Sequence, residues 1–121
     1  MDDLIGRLVT NVGIDKAVAE KAVGIILQFL VKEGPATQVK ALLDNLPNSD
    51  KIIAGAPPDT GGMSLFGGGV IATGTRMMGL GLTMAQVQSI TREVISYARE
   101  HAGEDAVGEI VGAIPGLGQF I

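Results

Sequence analysis

The chain has no cysteine and no tryptophan, one histidine, one tyrosine and three phenylalanines in 121 residues. Without cysteine, disulfides and thiolate metal sites are excluded, although the compartment is not thereby decided. With so few rings, the 46% hydrophobic share has to build its core from small aliphatic pieces. Long apolar runs are missing too. The longest uncharged run, 60–75, has 16 residues and is broken by six glycines, too short and too interrupted for a membrane-spanning helix. Nor is there an excess of base: nine basic residues against thirteen acidic give a formal charge of −4. The basic residues are scattered from Arg7 to Arg99 without a run, which argues against the phosphate neutralisation that nonspecific nucleic-acid binding requires. The opening MDDLIGRLV carries acid where a secretory signal carries base, so the expected location is the cytoplasm.

Glycine is abundant, with 18 residues, and each raises the entropy lost on ordering the chain. A lone monomer built from small aliphatics and glycine is expected to be modestly stable. Self-association is the natural source of further buried area, so a homo-oligomer is expected.

The strongest pattern is internal. GIDKAVAEKAVGIILQFLVKEG from Gly13 aligns without a gap on GLTMAQVQSITREVISYAREHA from Gly81, an offset of 68. Ile14 meets Leu82, Ile26 meets Val94, Leu27 meets Ile95 and Phe29 meets Tyr97; further on, Leu42 meets Ile110, Leu46 meets Ile114 and Pro47 meets Pro115. Each copy repeats one grammar. Ala19, Ala22, Val23, Ile26, Leu27 and Leu30 form a broad apolar face at helical spacing, matched by Val87, Ile90, Val94, Ile95 and Ala98. Gly34-Pro35 ends the first long helix and Ala102-Gly103 the second, with Pro35 suited to the first position of the next helix. Shorter helices then present Val39, Leu42 and Leu43, and Val107, Ile110 and Val111. Thr83 and Gln86 have capping-box spacing.

A small helix precedes each copy, one carrying Leu4, Ile5, Leu8 and Val9, the other running from Val70 to Met78 with Met77 and Met78 as core fillers. The expected fold is an all-α compact bundle of two tandem three-helix repeats, 1–53 and 70–121, joined by a Gly/Pro-rich connector at 54–69. Pro57-Pro58 followed by Gly61, Gly62, Gly67, Gly68 and Gly69 give 52–69 the composition of a loop, with Met63, Leu65 and Phe66 as apolar beads in it.

Sites of chemistry are sparse. The PGLG turn at 115–118 resembles the phosphate-holding turn of a DNA-binding hairpin, but only Gln119, Phe120 and Ile121 come after it, too few for the second helix. GGMSLFGGG and TGTRMMGLG lack the Gly-Lys-Ser/Thr ending of a phosphate loop and follow no strand. His101 is the only imidazole, at a helix end, where a partly exposed histidine is ordinary. Ser64, Ser89 and Ser96 have no base partner in sequence. No cofactor, metal or catalytic residue is assigned.

The doubled unit, in the pieces GIDKAVAEKAV…LLDNLP and GLTMAQVQSIT…IVGAIPGLG, resembles small bacterial helical domains of unknown function. The resemblance implies a compact helical bundle with no established enzymatic role, and it carries no functional residue over. The expected function is a non-enzymatic helical interaction or assembly module that self-associates. The alternative is a carrier of an apolar small molecule or lipid in a cleft between helices. Ile25, Val31, Met63, Leu65 and Phe66 are the candidate interaction surface. Ile25, Ile26 and Leu27 point in three directions, and either an interface or burial in a two-unit core accounts for them.

Overall fold

A computed structural model describes residues 2–46, 48–56, 69–114 and 118, and among these the regular structure is entirely helical. In chain order the helices are α1 (Asp2–Val12), α2 (Lys16–Glu33), α3 (Ala36–Asp44), α4 (Ser49–Gly55), α5 (Gly69–Met78), α6 (Met84–Ala102) and α7 (Glu104–Ala113). Among the described residues, no helix is long and apolar enough to cross a membrane.

The central element is α2, which packs on α1, α3, α4, α5 and α6. A one-faced helix cannot bury three consecutive residues, because each step turns the side chain by about 100°. In α2 Ile25, Ile26 and Leu27 are all buried, along with Ala19, Ala22, Val23, Phe29 and Leu30. Core on several sides accounts for that run. By contrast, α6 keeps one inward stripe, with Val87, Ile90, Val94, Ile95 and Ala98 buried at the expected spacing. Its N-terminus is closed reciprocally: the Gln86 amide donates to Thr83 Oγ1 at 3.2 Å and the Thr83 amide to Gln86 Oε1 at 2.9 Å. That is the capping box read from the sequence.

The long helices end where Gly34 and Gly103 succeed them. Pro35 stands one position earlier than expected, as the N-cap of α3 with φ −64°, and Ala36 is the first helical residue. The fixed φ of proline suits either place, and its missing N–H falls among donors that no helix bond would use. Gly13 and Gly81, which lie in the linkers into α2 and α6, have φ of +79° and +94°, a region that a Cβ disfavours.

The sequence pattern predicts no helix at 49–55, where the structure has α4. Seven residues are too few for a helix to persist in water on its own propensity. Here the chain turns through Asn48 in the left-handed region, and the buried Ser49 hydroxyl donates to the Leu43 carbonyl at 3.2 Å. α4 then lies against α2 at Gly24. A Cβ there would stand 2.6 Å from the Ile52 carbonyl oxygen and inside contact distance of Ala56 Cβ. A glycine lets the two backbones approach this closely.

One continuous cluster of buried apolar side chains runs from Leu4 to Ile114 and includes Ala56 and Met77. Met78 departs from expectation: it is 44% exposed while Met77 is buried, since successive helical residues face different ways and only Met77 faces the core. For the same reason Leu4, Ile5 and Leu8 are buried in α1, while Val9 is 38% exposed.

The helix contacts cross between the two ends of the chain. α1 rests on α2 and also on α6; α5 rests on α6 and also on α2. The long helices touch each other, and α3 packs on α7.

Candidate interaction surface

The expected surface residues divide sharply. Ile25 has no exposed area and belongs to the core, so it offers nothing to a partner while the chain is folded. The feature that nominated it, consecutive aliphatics facing several ways, arises from packing of α2 against five other helices. Val31, in the last turn of α2, is 52% exposed, the largest fraction among the exposed large apolar residues Val9, Val31, Met78 and Met84. Met63, Leu65 and Phe66 lie outside the described residues.

Two polar constellations tie distant segments together, and neither was visible in the sequence. On one side the Arg7 guanidinium of α1 grips the Glu100 carboxylate of α6 with two hydrogen bonds, at 2.7 and 3.0 Å. Arg7 also lies 5.6 Å from the Tyr97 ring centroid, and Tyr97 is 4.2 Å from the His101 ring. The hydrogen bonds from Arg7 lower the pKa of Glu100, with partial desolvation opposing and the positive charge of Arg7 assisting. The same hydrogen bond raises that of Arg7. Tyr97 and His101, four apart on one helix, had a legible spacing. Arg7 and Glu100, 93 residues apart, had none.

In the other constellation Gln28 of α2 serves both its amide groups. Its Nε2 donates to the Ile53 carbonyl at 3.0 Å, and its Oε1 accepts from Arg76 at 2.8 Å. One partly buried glutamine thus links α2 to α4 and to α5. A third tie joins α3 to α7, where Gln38 Nε2 donates to Glu109 Oε2 at 2.6 Å. Among the described residues, no group of three or more His, Cys, Asp or Glu gathers as metal ligands would. No buried side-chain nitrogen or oxygen there lacks a hydrogen-bond partner. These arrangements hold helices together.

Comparison of the chain with protein-family models, with curated proteins and with solved structures finds no match. The functional reading therefore rests on the residues and their placement.

Proposed function

We propose that this chain is a non-enzymatic helical assembly module that self-associates, built from two tandem three-helix units with a glycine-rich connector between them. The observation that carries the reading is the shared core. The buried cluster draws on α1–α4 and on α5–α7 together, and α1 and α5 each rest on the long helix of the other unit. The apolar faces of the two units close on one another, which leaves exposed side chains such as Val31 to meet a second copy.

The duplication within this reading is supported by geometry at matched positions. α2 and α6 begin at Lys16 and Met84, and α3 and α7 begin at Ala36 and Glu104, the same offset in both cases. Ile14 and Leu82 are both buried, as are Leu46 and Ile114. Gly13 and Gly81 share a positive φ. α4 stands outside the three-helix grammar and extends the first unit.

Native mass spectrometry and light scattering on untagged protein, over a range of concentrations, test the reading. A dimer or larger oligomer with no additional bound mass is expected. A chain that stays monomeric up to about 1 mM, where association would be worth less than about 4 kcal/mol, refutes self-association.

A further inference from the structure

The solvent face of α6 carries both signs of charge in a fixed order. Each helical step turns the side chain by about 100°, so residues seven apart return to within about 20° of one direction. With Ser96 taken as the centre of the face, Ala85 and Ser89 fall within about 20° of it. Arg92 and Arg99 stand about 40–60° to one side, and Glu93 and Glu100 about 40–60° to the other. The Arg-Glu pair at 92–93 thus recurs one heptad later at 99–100. All of these side chains are exposed except Glu93, which is half-buried.

Within the chain this charge is largely unanswered. A helical arginine pairs with acids three or four residues away, and those positions hold Gln88, Ser89, Ile95 and Ser96 for Arg92. For Arg99 they hold Ile95, Ser96, Ala102 and Gly103. None is acidic, and Arg92, Glu93 and Arg99 make no hydrogen bond or ion pair among the described residues. Glu100 is held by Arg7 from the side of α1, which uses two of the about four acceptor positions of a carboxylate. Its side chain stays 53% exposed.

We propose that a second copy of this chain docks on this face, with the two α6 helices side by side and parallel about a two-fold axis. The proposal rests on the self-associating reading above and names its interface. A two-fold pair presents the same patch from both copies. In an antiparallel pair the axis sets arginine flank against arginine flank, and like charges oppose. In a parallel pair it sets the arginine flank of each copy against the glutamate flank of the other. Arg92 then comes level with Glu93 of the second copy and Arg99 with its Glu100, and the axis repeats both pairs. Ser89 and Ser96 lie between the flanks, where their short side chains let the helices approach. Exposed ion pairs add little affinity each, so these pairs set direction and register.

The absence of cysteine supplies the test, because a single introduced thiol can form a disulfide only with another copy. Ser89→Cys, Ser96→Cys and Val31→Cys, all at exposed positions, are made separately in the full-length chain and oxidised at equal concentration. Both serine variants are expected to be trapped as covalent dimers many times faster than Val31→Cys, since a parallel pair brings each position level with itself. Reversing one flank with Arg92→Glu and Arg99→Glu together is expected to weaken the dimer at least about tenfold by light scattering. Trapping at only one of the two serines overturns the parallel register. A wild-type dimer whose serine variants are trapped no faster than Val31→Cys, or that the double reversal leaves unchanged, overturns this interface and leaves self-association standing. A wild-type chain that stays monomeric at about 1 mM overturns both.

Discussion

Replacing Gly24 by alanine tests the placement of α4. On helix propensity alone the change favours α2 by about 1 kcal/mol. The structure opposes it. The new Cβ would lie 2.6 Å from the Ile52 carbonyl oxygen and would overlap Ala56 Cβ, both fixed to the α4 backbone, so neither can swing away as a side-chain tip would. Overpacking of this kind costs about 1–3 kcal/mol. The net expectation is a loss of about 0–2 kcal/mol after the propensity gain is subtracted. Gly108→Ala in α7 is the control. Gly108 is also inside a helix, but its added Cβ meets nothing within 4 Å, so a gain of about 0.5–1 kcal/mol is expected. The difference between the variants isolates the contact with α4, at about 1–3 kcal/mol. Urea unfolding followed by far-UV circular dichroism measures it, provided the slopes are equal so that midpoints report stability. If Gly24→Ala stabilises the protein as much as Gly108→Ala does, α4 is not seated on α2 and the argument from close backbone approach is wrong.

Other named contacts carry expected outcomes of their own. Ile25→Ala removes a fully buried side chain and is expected to cost about 2–5 kcal/mol, whereas Val31→Glu at an exposed position should stay within about 0.5 kcal/mol. Equal costs by urea unfolding would contradict the assignment of one to the core and the other to the surface. Thr83→Ala removes the capping box of α6 and should cost about 1 kcal/mol. Asp15→Ala should cost less, because Asp15 caps α2 without a side-chain hydrogen bond, and the two thermal unfolding curves decide the order. Glu100 has a lowered pKa in the folded chain, so its contribution is complete above the carboxylate's unfolded value and is lost as pH falls through the folded one. The midpoint of urea unfolding should therefore decline on acidification below the ordinary glutamate range, by less in Glu100→Gln and by less in high salt. Equal declines in wild type and variant would show that Arg7 does not hold Glu100 in its charged form.

Much of this molecule was determined by local patterns in the chain. The spacing of Ala19, Ala22, Val23, Ile26, Leu27 and Leu30 was enough to place a helix and its buried face, because the period of 3.6 is a property of the backbone. Gly34 and Gly103 marked the helix ends, and Thr83 with Gln86 marked a start, because capping involves groups only a few residues apart. The tertiary structure decided what depends on neighbours brought from elsewhere. It made Ile25 core by surrounding α2, and it left Val9 and Met78 exposed beside buried Leu8 and Met77. It gave the seven residues of α4 a seat at Gly24, without which their own propensity would not hold them. It also brought Arg7 to Glu100 and Gln28 to Arg76. Those pairs lie on separate helices, and only the packing that lays α1 on α6 and α5 on α2 puts their polar ends within hydrogen-bonding reach.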